Sequence, residues 1–347
     1  MSKLRTVTRY IFFIVSAAAI ILMAACVVVG IVVYRARPER RAAAVFGQGS
    51  GTGYAHVAVY ARGARASGAG SPLSYLDDGT SLSSSDIDSI RVALDGVVNM
   101  ASGSKKGSSG KGSKVSYKWT DCYSSCFNGT VNSGVLGTGN TYEADIYGVS
   151  GAFTAMHPVE FMSGGFLSSG TTDRYQVVLN DAIAWNIFSS YDVVGKRISL
   201  LDNDYTIIGV VREHEDKKPR VYISFDALKE YCSGLDEPVT PAVMCYEAII
   251  PEQVSGSARL DLCGALPGYN ISSPAFRVVR VTGRYNVFNT FKAEPSSGYE
   301  LPFWEEDAMQ AESDIKTAAI VFLFGFVMIT GIAIGKMSSI GDPGQEE

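Results

Sequence analysis

Two uncharged apolar runs bracket the chain, at residues 10–34 and 317–335. A helix needs about 20 apolar residues to cross the hydrocarbon core of a bilayer, so both runs are long enough to span it. Between them the pattern is mixed. Residues 56–61 alternate and are β-rich, which predicts a first strand. Ser85 and Asp86 read as a cap ahead of Ile87, Ile90, Leu94 and Val97, which predicts a helix over 86–97. Residues 115–119, 129–136 and 142–147 read as strands of a turn-rich β part. From 175 onward, short strands (175–179, 197–201, 205–211, 221–224, 243–250, 277–281) alternate with short helices (180–189, 226–231, 252–266). Asp202, Asn203 and Asp204 supply turn chemistry for a hairpin between two of those strands. The pattern predicts an α+β domain, a βαβ-containing subdomain plus a β-rich subdomain, set between two transmembrane helices.

The expected organisation is a cytoplasmic N-terminus (1–9), a first span (10–34), a linker (35–53), a core domain (54–300), a juxtamembrane helix (301–314), a second span (315–336) and a cytoplasmic tail (337–347). The first run exceeds the 7–15 residues of a signal-peptide apolar region, so an uncleaved helix is expected. Met23, Ala24, Ala25 and Cys26 resemble a lipobox, but cleavage there would leave the apolar run 27–34 on the mature end. Basic residues flank the first span on both sides, and five acids precede the second, with Trp304 at interface level. The middle is rich in Ser, Gly and Tyr and poor in Lys, which favours the outside. The expected location is the cell membrane, with two spans in the lipid bilayer and an extracytoplasmic central domain.

Composition removes some function classes. The 347 residues carry a formal net charge of -5, and this mild acidity argues against a nucleic-acid partner, which would want a clustered basic face. Residues 101–114 are almost wholly Gly, Ser and Lys and read as a solvated loop. Gly110 and Lys111 fall outside the phosphate-loop pattern, because the earlier glycine is missing and Gly112 stands where Ser or Thr belongs. His56 lies in a predicted strand, His157 precedes Pro158, and His214 sits in the charged loop Glu213-His214-Glu215-Asp216; no pair has metal-ligand spacing.

Of six cysteines, Cys26 lies in the first span, and Cys122, Cys126, Cys232, Cys245 and Cys263 lie outside it. A local loop closure between Cys122 and Cys126 is one pairing, and any two of the other three form another. The spacing of Cys122 and Cys126 has one residue too many for a redox Cys-x-x-Cys. No catalytic, cofactor-binding or metal-ligating residue is assigned from the sequence. Gly331 and Gly335 form a small-xxx-small pair on which a second helix could close.

Several blocks in the middle are more specific together than singly: residues 153–158 followed by 161–167, 173–179, Ala182 to Phe188, Asp192 to Ile198, and Tyr205 to Val211. Their order resembles the extracytoplasmic core domain of MacB/FtsX-type ABC transporter permeases over about residues 142–250. Read structurally, Gly195 suits a turn, Gly209 a bulge or close approach, and Trp185 and Phe188 the core. The resemblance implies a fold without bond chemistry. It also implies partners: an ABC ATPase on another chain, full-length permease subunits, and an oligomeric assembly. The family carries one helix before the domain and three after, whereas one follows here, so a shortened or accessory permease is expected. The alternatives are a membrane-anchored binding or scaffold protein and, with less support, a thiol enzyme using Cys122 and Cys126.

Overall fold

The computed structural model describes residues 2–65, 72–102, 116–168, 173–213, 218–269, 275–292 and 298–340, except for the side chains of 2–9, 64–65 and 335–340. Most of the predicted loop 101–114, the residues His214, Glu215 and Asp216, and the tail from 341 lie outside that description. In chain order the first elements are α1 (Ser2–Arg35), α2 (Ala42–Phe46), β1 (Gly53–Tyr60), β2 (Ala64–Arg65), β3 (Leu73–Ser74), α3 (Ser84–Ala101), β4 (Thr120–Asn132) and β5 (Thr141–Gly151). Then come α4 (Phe153–Met156), β6 (Glu160–Gly164), β7 (Gln176–Asn180), α5 (Asp181–Phe188), β8 (Arg197–Leu200), β9 (Asn203–Arg212), β10 (Arg220–Ser224) and α6 (Phe225–Ser233). The last are β11 (Cys245–Glu252), α7 (Ser257–Ala265), β12 (Arg277–Arg280), α8 (Val287–Thr290) and α9 (Phe303–Ile340).

The chain divides into two compact units. One comprises Met1–Arg37, Gly283–Pro295 and Phe303–Glu347; the other comprises Pro38–Thr282 and Ser296–Pro302. In the first, α1 and α9 contain the two stretches apolar and long enough to cross a membrane, Tyr10–Arg35 and Phe303–Ile334. Their apolar side chains are mostly exposed, as suits lipid-facing surface. The acidic lead-in and the second span form one continuous helix, α9. The close approach between α1 and α9 is made at Gly325, where an added Cβ would lie 3.0 Å from Met23 Cγ. Ala19 is buried beside it. Gly331 has nothing within 4 Å, so the predicted small-residue face is not the one used between these two helices.

In the second unit, ten strands among the described residues form one sheet ordered β12-β1-β11-β4-β5-β10-β7-β9-β6, with β8 pairing both β4 and β9. β5 runs parallel to β10, and β7 runs parallel to β9. The latter pair is closed by a crossover through α5, the predicted βαβ element. β4 and β5 pair over eleven positions from Cys122↔Gly151 to Asn132↔Thr141 and stitch the β-rich part to the rest. One face of the sheet packs Val57, Val59, Tyr123, Phe127, Tyr246 and Ala248 into the main core with Ile87, Ile90 and Leu94 of α3. Helix α3 starts at Ser84, two residues earlier than predicted, with Ser83 as its N-cap. Ser83 and Asp86 complete a reciprocal capping box, which fixes that end.

Other departures have local causes. Residues 116–119 carry no regular structure, and the strand begins at Thr120. β4 stops at Asn132 because the chain then bends through Leu136, whose φ is 55° and whose N–H donates to Asp204 Oδ1. The hairpin turns on Leu201 and Asp202, both with positive φ, and Asn203 already belongs to β9. Helix α7 begins at Ser257 because β11 extends to Glu252, whose carboxylate accepts the Gly256 N–H. Trp185 is 52% exposed and faces Tyr191, so it is no core anchor; Phe188 is partly buried against the core. Gly195 sits at φ +85°, as its turn requires. Gly209 lies where β7 and β9 shift register, and a Cβ there would be 2.0 Å from Gly165 O.

Candidate functional site

The opposite face of the sheet carries the polar cluster. In β1, β4 and β11 the residues alternate, so His56, Cys122 and Glu247 point away from the main core. Register then brings them together. Glu247 lies directly opposite Cys122 across β11–β4, and it faces Ala58 across β1–β11, two positions from His56. His157 arrives from the far side. Gly151 ends β5 with φ +75°, and its lack of a Cβ lets the chain pass within contact of Asp121 O. The short helix α4 follows, and His157 is its C-cap, ahead of Pro158, which cannot continue a helix.

Glu247 is the centre of this group. His56 Nε2 donates to Oε1 at 3.1 Å, and His157 Nε2 donates to Oε2 at 2.5 Å. The Cys122 thiol lies 3.7 Å from Oε2 and 3.3 Å from Met156 Sδ. His56, Cys122, Met156 and Glu247 are all buried, and the His157 side chain retains 12% exposure. Burial alone would push the Glu247 carboxyl up; the two histidines outweigh it and hold the group well below the ordinary carboxylate range. Burial and the adjacent Glu247 push the Cys122 thiol well up. A protonated, buried thiol is a poor nucleophile, so the geometry does not equip Cys122 for redox or acyl chemistry unaided.

Cys122 and Cys126 do not pair. They lie on one strand, roughly 13 Å apart at ~3.3 Å per residue, beyond the reach of a disulfide. No disulfide joins any of the six cysteines. A strand in place of the expected turn-rich loop is the reason.

Glu213, expected in a solvated loop, is instead partly buried. It accepts from Arg220 at 2.6 Å, from Asn180 at 3.1 Å and from the Tyr222 hydroxyl. Asn180 caps α5 by accepting from Ile183 N and also accepts from Arg220 N. This network joins β7, β9 and β10 at one end of the sheet.

In the membrane-helix unit, Arg284 is buried between two glutamates of α9. It donates to Glu305 at 2.6 and 3.0 Å and to Glu312 at 3.0 Å twice. Burial works against its charge, but the two carboxylates keep it protonated well above the ordinary range. Tyr285, Ala308, Ala311 and Ile315 form the apolar packing around this clamp.

The description MacB-like periplasmic core domain matches residues 12–240. The chain belongs to this family. The MacB-like match covers the first apolar helix and the sheet as far as α6, and the family is that of ABC-type transporter permeases, whose subunits are not themselves enzymes. With an apolar helix at either end, the chain is a cell-membrane protein with an extracytoplasmic domain.

Solved structures of similar fold include the periplasmic region of MacB from Actinobacillus actinomycetemcomitans, at 14% identity, TM-score 0.44, and 73% and 100% coverage of this chain and that one. The extracellular domain of the noncanonic ABC-type transporter YknZ from Gram-positive bacteria matches at 11% identity, TM-score 0.41, covering 65% and 100%. A domain of a putative permease protein from Porphyromonas gingivalis matches at 15% identity, TM-score 0.32, covering 52% and 83%. No curated protein matches the chain.

The His–Glu–His–Cys group was invisible to spacing rules because its members come from four distant segments. One signal did exist. Glu247 is the sole charge in the run 243–250, and an acid inside a strand buried on both faces requires partners.

Proposed function

We propose that this chain is a membrane subunit of an ABC-type transport or export system, in which the ATPase resides on a separate chain. A MacB-like domain bracketed by two apolar helices is the observation that carries the reading. The work is conformational: movement of the membrane helices is passed to the outer domain, which binds a partner or substrate. The buried Arg284 clamp supports this, because it ties the segment that follows β12 in sequence to α9, the helix that contains the second span. Both termini are cytoplasmic in this reading, and the central region lies outside.

Affinity capture of the tagged full-length chain from gently solubilised native membranes tests it. Co-purification of an ABC ATPase and a full-length permease is the expected result. A folded, stable chain recovered with neither overturns the transport reading and leaves a membrane-anchored binding or scaffold protein.

A further inference from the structure

We propose that Cys122, His157 and Glu247 form a binding site for one borderline-soft divalent cation of the zinc type. One ligand atom from each lies within 4.8 Å of the others. Ligand atoms around a tetrahedral zinc, with bonds of about 2.0–2.3 Å, sit roughly 3–4 Å apart. The Cys122–Glu247 separation of 3.7 Å already meets this. The His157–Glu247 contact of 2.5 Å must open by less than about 1 Å, a small adjustment of the two side chains.

The donor set is the second argument. Thiolate, imidazole and carboxylate together suit zinc better than calcium or magnesium, which prefer all-oxygen sites. A buried thiolate and carboxylate carry two negative charges, and a divalent ion with a neutral imidazole brings the site to zero. Binding removes the Cys122 thiol proton, and the Nε2 proton of His157 moves to Nδ1 or to solvent. Glu247 Oε2 exchanges its hydrogen bond for the metal bond.

The surroundings are the third. His56 donates to the other carboxylate oxygen, Oε1, and fixes its orientation as an outer-sphere partner does. Met156 closes the apolar side against the thiol. His157, the partly exposed member, marks the side from which an ion enters. Such an ion would bind β4 and β11 to the turn after α4. The inference is independent of the transport reading.

The test uses the full-length chain in detergent, stripped with chelator and titrated with Co2+, which reports thiolate ligation by a near-ultraviolet charge-transfer band. One Co2+ per chain, displaced by Zn2+, is expected in the wild type and in C126S. The band should vanish in C122S, and affinity should fall at least tenfold in H157Q. No band in the folded wild-type chain overturns the proposal without recourse to any variant. A band that survives in C122S, or unchanged affinity in H157Q if C122S does not fold, also overturns it and leaves a hydrogen-bonded polar cluster only.

Discussion

Cys122 and Glu247 face one another directly across the β4–β11 pair, with the thiol sulfur 3.7 Å from the carboxylate. Without metal, Glu247 is held ionised in the protein interior by His56 and His157 alone. Removing it takes the shared carboxylate acceptor from the buried His56 and the partly buried His157. Glu247→Ala should therefore destabilise the outer domain by about 3–5 kcal/mol, the cost of breaking a buried charged group's pairing. Glu247→Gln keeps the shape and one acceptor and should cost less. Thermal unfolding in chelator, followed by intrinsic fluorescence, orders the three proteins. Equal midpoints for wild type and Glu247→Ala would show that the histidines do not depend on it.

Gly209 offers a sharper steric case. A methyl group there would sit 2.0 Å from Gly165 O and 2.9 Å from Gly165 N, both backbone atoms that cannot rotate away. The β6–β9 edge must therefore separate, or the β7–β9 bulge must be lost. Gly209→Ala should lower the thermal midpoint strongly, by several kcal/mol in stability, well beyond the usual ~1 kcal/mol of a point change. Gly195→Ala, with open space around it and only its positive φ to oppose it, should cost about 1–2 kcal/mol. A reversal of that order would contradict the packing described.

How much of this could be read from the residues depended on range. Local signals worked: the apolar runs became α1 and α9, the short helix expected over 180–189 formed as α5, and Gly195 and Gly209 fell at a turn and a bulge. The ordered blocks around Ala182 to Phe188 and Tyr205 to Val211 pointed to the family. What failed was non-local. Cys122 and Cys126 looked like neighbours in a loop, and strand pairing with β5 and β11 made them distant. Glu213 looked solvated, and Arg220 and Tyr222, a few residues on, drew it inside. Trp185 was expected in the core on its chemistry, but the side of α5 on which it sits faces solvent. Sequence records what each position prefers; sheet register decides which preferences meet.

Acid stability has a named contributor in Glu252. Burial raises its carboxyl pKa, but the Arg280 guanidinium and the Gly256 N–H outweigh that and hold it below the ordinary value. A depressed folded-state pKa gives stability that is present above the unfolded value, near 4.3, and is lost as pH falls through the folded one. Glu252→Gln removes this term. The variant should be less stable than wild type at pH 7, and the gap should narrow below about pH 4. Thermal midpoints between pH 7 and pH 3 measure it, and a gap constant across that range would refute the assignment.

The last prediction concerns Arg284. Its four hydrogen bonds reach two glutamates seven residues apart on α9, two turns of one helix. Arg284→Met leaves Glu305 and Glu312 buried without the guanidinium that bridges them. The expected cost is about 3–5 kcal/mol, concentrated where the clamp sits. Backbone amides of α8 and of the start of α9 should then exchange roughly 10²- to 10³-fold faster with deuterated water, while amides of the central strands β4 and β5 stay protected. A triple change of Arg284, Glu305 and Glu312 to apolar residues removes the charges together, and protection should largely return, because a buried ion cluster often contributes little net stability over packed side chains. The triple variant then separates stability from coupling. If it is folded and protected but no longer supports transport by the assembly, the charges themselves carry motion from helix to domain. If single and triple variants exchange like the wild type, the segment is held by its apolar contacts around Tyr285 and Ile315, and the clamp has no mechanical role.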